Sequence, residues 1–489
     1  MSTGSSRANG PLRTTGPSEA NGISRRALLK VPLLGAAASA IGGPLLLSGC
    51  QDDQEKAGAS DLGAYKSADI NWKKADGTTI NVGLIAATYF TNLKTVLPQF
   101  QELTGITVEA EEIPPQKIRE NVVRDLSTKT GRYHTHCADP MYYPLYAANR
   151  WVEPLDHYLD NEELTNADWF DVDDIFKTWI ASNTVDDTLY GVPYDGETTV
   201  QVYRKDLFEK AGLKAAQTTE EFRSNAEKLS DPDHRMWGPA LRGLPGAGQN
   251  MYIYPSLFRE WGASWFDDDD QPTVNSPEAV EALEYYVDLD TKYAPTAVSN
   301  WNWPDIADAF ARNTLATYID AHSSASVLVD KTKSQVVDKL AFERWPAGPS
   351  GKRCTSIWNW GFPINASIDD KTKEAVWLFI QWATCKETQI RTSTDYTEGP
   401  KRSGVNRESV WKTPEYAKAV SAGDNFINAA LTSLKEDTDI DWRPRVPQWP
   451  AIGDKCATLV QSALTKQLTP KAALDQAQAA VVKIMKGDG

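Results

Sequence analysis

The chain has 489 residues, of which 41% are hydrophobic and 24% charged, and its net charge is −15. This length excludes a single small domain, and the hydrophobic content is too high for a disordered chain, so we expect at least two folded lobes. The negative charge argues against nucleic acid or an anionic membrane surface as a partner, because phosphates and lipid head groups repel an acidic surface.

An export signal is predicted at the N-terminus. Arg25 and Arg26 precede an uncharged run of 17 residues, Val31–Leu47. A membrane-spanning helix needs about 20 predominantly apolar residues, so a shorter run after arginines is typical of a cleavable signal. The segment SRRALLK resembles a twin-arginine export motif. The segment LSGC resembles a bacterial lipobox, in which the cysteine, here Cys50, becomes the lipidated first residue.

These motifs predict that residues 1–49 are a twin-arginine-type lipoprotein signal. Its removal takes away five basic residues and one acidic residue, so the net charge changes from −15 to −19. We expect the lipidated Cys50 to anchor the protein to the outer face of the cytoplasmic membrane, with no other membrane contact. The alternative is an uncleaved signal anchor with a chance cysteine.

The folded part is predicted to begin with a βαβ unit. Residues 50–77 are polar and charged, which favours a flexible tether. The β-branched run Thr78–Ala87 predicts a buried strand, Thr91–Gly105 has apolar residues at helical spacing, and Ile106–Ile113 predicts a second strand. Strand, helix and strand with short links indicate a parallel sheet and an α/β fold.

Later segments predict further helices. In Lys205–Leu213 the helix is expected to stop at Gly212, and Asp370–Cys385 carries an apolar stripe. In Leu468–Met485, Thr469 is the expected cap and Pro470 the first helical residue. These helices are compatible with the α/β fold.

Four cysteines remain when Cys50 is set aside, namely Cys137, Cys354, Cys385 and Cys456. An exported compartment permits disulfides, and the three possible pairings stay open. The segment HTHCAD, residues 134–139, places two histidines at alternate positions, which on a strand can bind zinc. Because the chain has only five histidines and no second cluster, we expect Cys137 to be half of a disulfide instead. We expect no metal and no cofactor.

The segment YGVPYDGETTVQVYRKDLFEKAGL, Tyr190–Leu213, resembles the sugar-binding proteins of bacterial ABC importers, the extracellular solute-binding family. In that family a Gly-x-Pro turn leads into a ligand-touching stretch, a strand and a YxKDLFxKAGL helix. Other segments resemble the family in the same order and cover almost the whole mature chain. They are Tyr286–Asp320, Trp358–Gln389, Glu398–Val410 and Asp441–Asp454. Their details are most similar to the branch that binds sugar alcohols such as sorbitol and mannitol, or small sugars. Residues 131–143 depart from the family pattern.

The resemblance implies a two-lobed periplasmic-binding-protein-like fold, with a hinge between the lobes and a ligand cleft at their interface. Residues 78–197 and 314–390 are predicted to form the first lobe, and residues 198–313 and 391–489 the second. The implied function is that of a monomeric substrate-binding component. It captures a sugar or sugar alcohol by hinge closure and delivers it to the permease subunits of an ABC importer.

Aromatic rings provide flat platforms for the C–H faces of a sugar, and charged groups form strong hydrogen bonds with hydroxyls. The family positions and the aromatic content predict these ligand-binding residues: Glu197, Asp195, Trp358, Trp360, Trp301, Trp303, Asp320, Tyr89, Phe90 and Arg402. Trp442 and Arg443 are further candidates. In the pattern WNW, Trp358–Trp360, we expect one tryptophan to face the cleft and the other the core, and we favour Trp358 for the cleft.

Two alternatives remain from other classes, a secreted glycoside-acting enzyme and a metal-binding lipoprotein. Asp195 and Glu197 could be a catalytic carboxylate pair, but such pairs normally come from different elements on opposite sides of the scissile bond. The chain contains no nucleophile elbow, phosphate-binding loop or dinucleotide fingerprint. We therefore expect a binding protein with no catalytic residue.

Overall fold

A computed structural model of the chain describes residues 62–115, 117–394, 401–420, 422–423 and 425–487. Arg25, Arg26 and Cys50, on which the export and lipid predictions rest, lie outside the described residues. Within the described ranges, none of the helices has the length and apolar character needed to span a bilayer.

The strands are β1 Thr79–Ile85, β2 Thr107–Ile113, β3 Thr135–His136, β4 Thr184–Val185, β5 Thr188–Leu189, β6 Val192–Arg204, β7 Thr317–Ala321, β8 Leu340–Arg344 and β9 Ile357–Phe362.

The α-helices are α1 Gly63–Lys66, α2 Thr88–Thr104, α3 Ile118–Thr128, α4 Tyr143–Asn149, α5 Asp156–Leu159, α6 Ala167–Phe170, α7 Lys177–Ser182, α8 Lys205–Lys210, α9 Thr219–Leu229, α10 Asn250–Glu260, α11 Pro277–Lys292, α12 Trp303–Ala311, α13 Ala325–Leu328, α14 Asp370–Thr384, α15 Lys386–Ser393, α16 Glu408–Trp411, α17 Pro414–Ala419, α18 Phe426–Thr432, α19 Trp449–Leu464 and α20 Pro470–Lys486. Short 3₁₀ helices cover Pro140–Tyr142, Val172–Asp174, Pro232–His234, Thr296–Asn300 and His322–Ser324, and a π-helical turn covers Ser433–Asp437.

The predicted βαβ unit is confirmed. Strands β1 and β2 are parallel and in register from Thr79 opposite Thr107 to Ile85 opposite Ile113, and α2 connects them. The helix ends at Gly105, whose φ of 71° is the left-handed conformation that glycine adopts at low cost. β3 extends the sheet on the other side of β1 in the same direction.

The segment before this unit differs from the predicted tether. Residues 62–77 pack onto the body: Tyr65 is fully buried and its hydroxyl lies 3.0 Å from the Thr388 hydroxyl. The ring of Trp72 meets the ring of Trp169 edge-on at 5.8 Å. Burial of these two rings, together with Leu62, Ala68 and Ala75, orders the segment.

Strand β6 is the central element of the fold, because its two halves belong to different sheets. Val192–Thr198 pairs antiparallel with β9, whereas Thr199–Arg204 lies between β7 and β8. An isolated bridge between Ala138, which follows β3, and Gly361 joins the sheet of β1, β2 and β3 to β9. One continuous strand of 13 residues therefore connects two sheets and passes between them at Thr198.

The strands that pair with β6 do not follow the lobe boundaries expected from the resemblance. β7 and β8 fall in residues 314–390, which the resemblance assigns to the first lobe, yet they pair with the half of β6 assigned to the second. Non-local pairing of this kind has no local sequence signal. The exact lobe boundaries stay a prediction.

The predicted helices at 370–385 and 468–485 are confirmed as α14 and α20. The side chain of Asp369 accepts a hydrogen bond from the Thr372 amide at the start of α14, and Thr469 caps α20 through the Ala472 amide. α14 is buried around most of its circumference and packs against α15, α2, β1 and β6.

The expected disulfide at Cys137 is wrong. Cys137, Cys354, Cys385 and Cys456 are all buried free thiols. The Cys137 sulfur instead accepts a hydrogen bond from the Ile85 amide at 3.1 Å. A free cysteine behaves as a small apolar residue in such a core position.

Candidate ligand-binding cleft

Trp358 and Trp360 lie on the same face of β9, with ring centroids 6.1 Å apart. The expectation that one faces a cleft and the other the core is wrong, because residues two apart on a strand point to the same side. Asn359, between them, points to the other side and donates to the Ser182 hydroxyl at 2.7 Å.

The register of β6 and β9 brings two carboxylates to this face. Glu197 is directly opposite Trp358, and Asp195 is directly opposite Trp360. Side chains of directly opposed residues point to the same side of a sheet. We call the four residues Asp195, Glu197, Trp358 and Trp360 the cleft face.

The opposite side of this ribbon is closely packed. A Cβ atom at Gly196 would approach the Trp179 ring of α7 within 2.6 Å, so only glycine allows that ring to lie against β6. The Gly196 amide also donates to the Gly404 carbonyl at 2.8 Å. This packing fixes the plane of the ribbon and hence the direction of the cleft face.

Arginines cover both tryptophan rings. The Arg119 guanidinium carbon lies 5.6 Å from the centroid of the Trp358 ring and 6.0 Å from that of Trp360. Arg443 approaches the Trp358 ring at 5.1 Å, and Tyr252 meets it edge-on at 6.1 Å. The rings are consequently only 6% and 8% exposed. Cation–π contacts of this kind attract each guanidinium to the ring that it covers.

Two of the neighbouring arginines have carboxylate partners. Arg119 lies 2.7 Å from an Asp139 oxygen. The Nε of Arg242 is 2.9 Å from Asp320, and the Arg242 guanidinium stacks on the Tyr252 ring at 4.2 Å. Asp320, a predicted ligand residue, is thus buried in a two-point ion pair with Arg242.

Glu197 accepts a hydrogen bond from the Ser323 hydroxyl. Burial raises the pKa of the Glu197 carboxyl to about 7, against the opposing effects of Arg242 and Ser323, and the Asp320 and Asp195 carboxylates raise it further. Glu197 can therefore exist in both protonation states near neutral pH.

Asp195 and Arg402 bind each other. Arg402 Nε donates to Asp195 at 2.8 Å, and its other nitrogens donate to Thr392, to Gln389 and to the Tyr194 carbonyl. Burial raises the pKa of Asp195 to about 6, although Arg402 opposes that rise. These contacts join the 401–407 loop to β6 and leave the two side chains engaged with protein groups.

Tyr89 and Phe90 have different positions. Phe90 is fully buried and stacks on Tyr194 at 5.2 Å, so it belongs to the core. Tyr89 is half-buried, and burial together with the Glu197 and Asp195 carboxylates raises the pKa of its hydroxyl. Tyr89 therefore borders the cleft face.

Trp301 and Trp303 precede β9 in the sequence, and their side chains differ in exposure. Trp301 is half-buried, and its carbonyl accepts hydrogen bonds from the Gly243 and Leu244 amides, next to Arg242. Trp303 is the first residue of α12 and is 38% exposed. The structure brings Trp301 near the Arg242 loop and leaves Trp303 on the surface.

The two histidines of HTHCAD have separate environments. His134 Nδ1 accepts from the Asn81 amide at 3.2 Å, whereas His136 is buried beside Tyr146. Within the described ranges, no group of three or more His, Cys, Asp or Glu side chains is arranged to hold a metal ion.

Several cleft residues were not predicted from the sequence: Arg119, Arg242, Tyr252 and Ser323. Arg242 had a usable signal, because it is a charged residue inside the apolar and glycine-rich run PALRGLPGAG. Arg119 lies among other polar residues of α3, so no comparable signal marks it in the sequence.

The family model for bacterial extracellular solute-binding proteins matches residues 87–390. The chain belongs to this family. The mannitol-binding protein of Pseudomonas aeruginosa is 28% identical over 386 residues, which are 76% of this chain and 85% of that protein. The erythritol/L-threitol-binding protein of Mycolicibacterium smegmatis is 28% identical over 409 residues, which are 80% and 83% of the two chains.

Solved structures of the family have the same fold. A solute-binding protein of Agrobacterium radiobacter K84 in complex with ribitol superposes with a TM-score of 0.74 and is 27% identical. One of Agrobacterium vitis S4 with bound D-mannitol has a TM-score of 0.72 and the same identity. Each match covers 84% of this chain and 99% of the solved chain. The predicted two-lobed α/β fold of periplasmic binding proteins is confirmed.

Proposed function

We propose that this protein is the substrate-binding component of an ABC importer and captures a sugar alcohol or small sugar between its lobes. Its family membership and two relatives named for mannitol and for erythritol and threitol support this function. The observation that carries it is the cleft face, where two tryptophans and two carboxylates, of which Arg402 binds Asp195, share one side of a two-stranded ribbon.

The chemistry of the cleft face suits a polyol. Trp358 and Trp360 offer flat apolar surfaces for C–H groups, and Glu197 accepts hydrogen bonds from hydroxyls when it is ionised. Because the rings are covered by Arg119 and Arg443, the ligand has to lie between the arginines and the rings or beside them. Of the other predicted residues, Tyr89 borders the cleft face, and Trp301 contacts the Arg242 loop through its backbone carbonyl. Asp195, Asp320, Phe90 and Arg402 support the site through their packing and ion pairs.

Hinge closure would follow from the position of β6, which passes from one sheet to the other at Thr198, directly after Glu197. A ligand that contacts groups on both sides of this point favours the closed form, because it binds that form more tightly.

We also propose that the protein is exported, lipidated at Cys50 and monomeric, and that its partners are the permease subunits. Eleven residues lie between Cys50 and Leu62, the first described residue. A fully extended segment of that length spans at most about 40 Å, which limits how far the body can move from the bilayer. We propose neither catalysis nor a cofactor.

A thermal-shift screen tests the ligand class. The panel holds polyols, monosaccharides, disaccharides and divalent metals with a chelator control. A ligand that binds only the folded state at about 100 times its dissociation constant adds roughly 2.7 kcal/mol of stability. We expect a shift with a polyol or small sugar that Glu197→Gln reduces and the exposed control Glu209→Gln does not. A shift only with a metal would contradict the proposal, and consumption of the bound sugar would indicate an enzyme.

A further inference from the structure

Arg443 is a buried cation that has no carboxylate partner within the described ranges. Arg119 and Arg242, the other arginines of the cleft, pair with Asp139 and Asp320. Arg443 is only 5% exposed, and among the described residues no carboxylate forms an ion pair with it. Its Nη1 is buried, with no hydrogen-bond partner in the part of the chain that the structure describes.

This guanidinium lies beside the cleft face. It lies 5.1 Å from the Trp358 ring centroid and 4.9 Å from that of Trp442. The charged groups near it are the Asp139 carboxylate and the guanidinium groups of Arg119 and Arg445. Burial lowers the pKa of Arg443 to about 10, Arg119 and Arg445 lower it further, and Asp139 opposes them. Asp139 is already paired with Arg119.

A buried guanidinium with an unused donor is costly unless an acceptor satisfies it. A hydroxyl would satisfy one N–H group but would leave the positive charge unpaired. A carboxylate would do both, since its two oxygens match the guanidinium fork. A ligand with one carboxylate would also be oriented, because its charged end would be held at Arg443.

We propose that Arg443 binds a carboxylate and that the protein prefers a sugar acid, such as an aldonate, to the corresponding neutral sugar alcohol. This inference rests on the proposed binding function and narrows its substrate class.

Titration calorimetry on the full-length chain tests it with matched ligands. One set is D-mannonate, D-mannonamide and D-mannitol. The second set is ribitol with the acid and the amide that correspond to it. The amide keeps the shape of the acid and removes only the charge. In at least one set, we expect the acid to bind at least tenfold more tightly than its amide and its polyol, because charged hydrogen bonds are about twice as strong as neutral ones.

Arg443→Gln should reduce the ratio of acid affinity to polyol affinity at least tenfold. Arg312→Gln, which removes an arginine that is 67% exposed, should leave this ratio unchanged. The wild-type comparison of acid and amide requires no variant, so it decides the question even if Arg443→Gln does not fold.

The outcomes separate the two proposals. If a polyol binds and its acid binds no more tightly, or if Arg443→Gln leaves the ratio unchanged, the sugar-acid preference is wrong and the binding function stands. If no member of either set binds and the thermal-shift panel is also negative, both proposals fail.

Discussion

The chain contains the letters W-N-W twice, and the two copies have different structures. Trp358–Trp360 is part of β9, and its two rings lie side by side on one face. Trp301–Trp303 precedes and opens α12, with Trp301 half-buried and Trp303 exposed. The asparagines differ too. The Asn359 side chain donates to Ser182 behind the strand, whereas Asn302 is the N-cap of α12 and its backbone N–H donates to the Asp305 carboxylate at 2.9 Å.

This difference shows that a pattern of residue types specifies a surface only after the secondary structure is known. In a strand, a period of two places both tryptophans on one side. At the helix start, only Trp303 belongs to α12, and the backbones of Trp301 and Asn302 before it are extended, so no regular period relates the two rings. We therefore expect the strand copy to carry ligand binding and the helix copy to contribute little.

Trp358→Ala should have the largest effect. It removes a buried indole, so we expect a loss of about 3–5 kcal/mol in the free energy of unfolding and a loss of roughly 100-fold in affinity for the sugar or sugar acid. Denaturant unfolding and calorimetry measure the two effects. Unchanged affinity would show that the strand copy is only core.

Glu197, which lies opposite Trp358 of the strand copy, should make the stability of the protein depend on pH. Its pKa is raised from 4.5 to about 7, so between these values the folded state binds more protons than the unfolded state. Stability should fall as pH rises through this window, by up to about 3 kcal/mol from this group. Urea unfolding at pH 5 and pH 7.5 should show a smaller decrease for Glu197→Gln than for the wild type. Asp195, raised to about 6, contributes in the same direction to both proteins and cancels in the comparison.

Gly248→Ala tests the packing around Trp358. A Cβ atom at this position would lie 2.9 Å from Cη2 of the Trp358 ring, which is too close for an unshifted ring. We expect a loss of about 1–3 kcal/mol in unfolding free energy and weaker ligand binding. A variant with wild-type stability and affinity would mean that the ring can move freely.

Asn359→Ala is the matched control within the strand copy. Its side chain is buried on the opposite side of β9 and loses one hydrogen bond to Ser182. We expect about 1–2 kcal/mol of destabilisation with ligand affinity changed less than twofold. A large loss of affinity in a folded variant would show that the two sides of the strand are not separate.

Trp303→Ala should have the smallest effect. The residue is 38% exposed, so we expect less than about 1 kcal/mol in unfolding free energy and less than a threefold change in affinity. A loss of affinity equal to that of Trp358→Ala would overturn the difference between the two copies.

Local features of the fold could be predicted from the sequence. The βαβ unit followed from hydrophobic periodicity, and α20 followed from Thr469 and Pro470 at its start. The site was predicted less completely, because its geometry depends on pairing between residues far apart. Glu197 faces Trp358 only through the β6–β9 register, which joins positions some 160 residues apart.

Ion pairs were the least predictable part. Nothing in the sequence indicates that Arg402 binds Asp195, or that Arg119 pairs with Asp139 while Arg443 has no carboxylate partner in the described part of the chain. Such partners are set by tertiary packing. The packed segment at Tyr65 and Trp72 was obscured for a related reason, since two aromatic residues in a polar stretch give no periodic signal.

A crystal structure of the protein with the tightest-binding polyol or sugar acid tests the central claim most directly. We predict a C–H face of the ligand within about 4 Å of the Trp358 or Trp360 ring. We also predict a ligand oxygen within about 3.2 Å of Glu197 or Arg443. The contradictory result is a ligand elsewhere, for example in the open groove of about 660 Å³ lined by Ile175, Ile440 and Arg445, with the cleft face untouched.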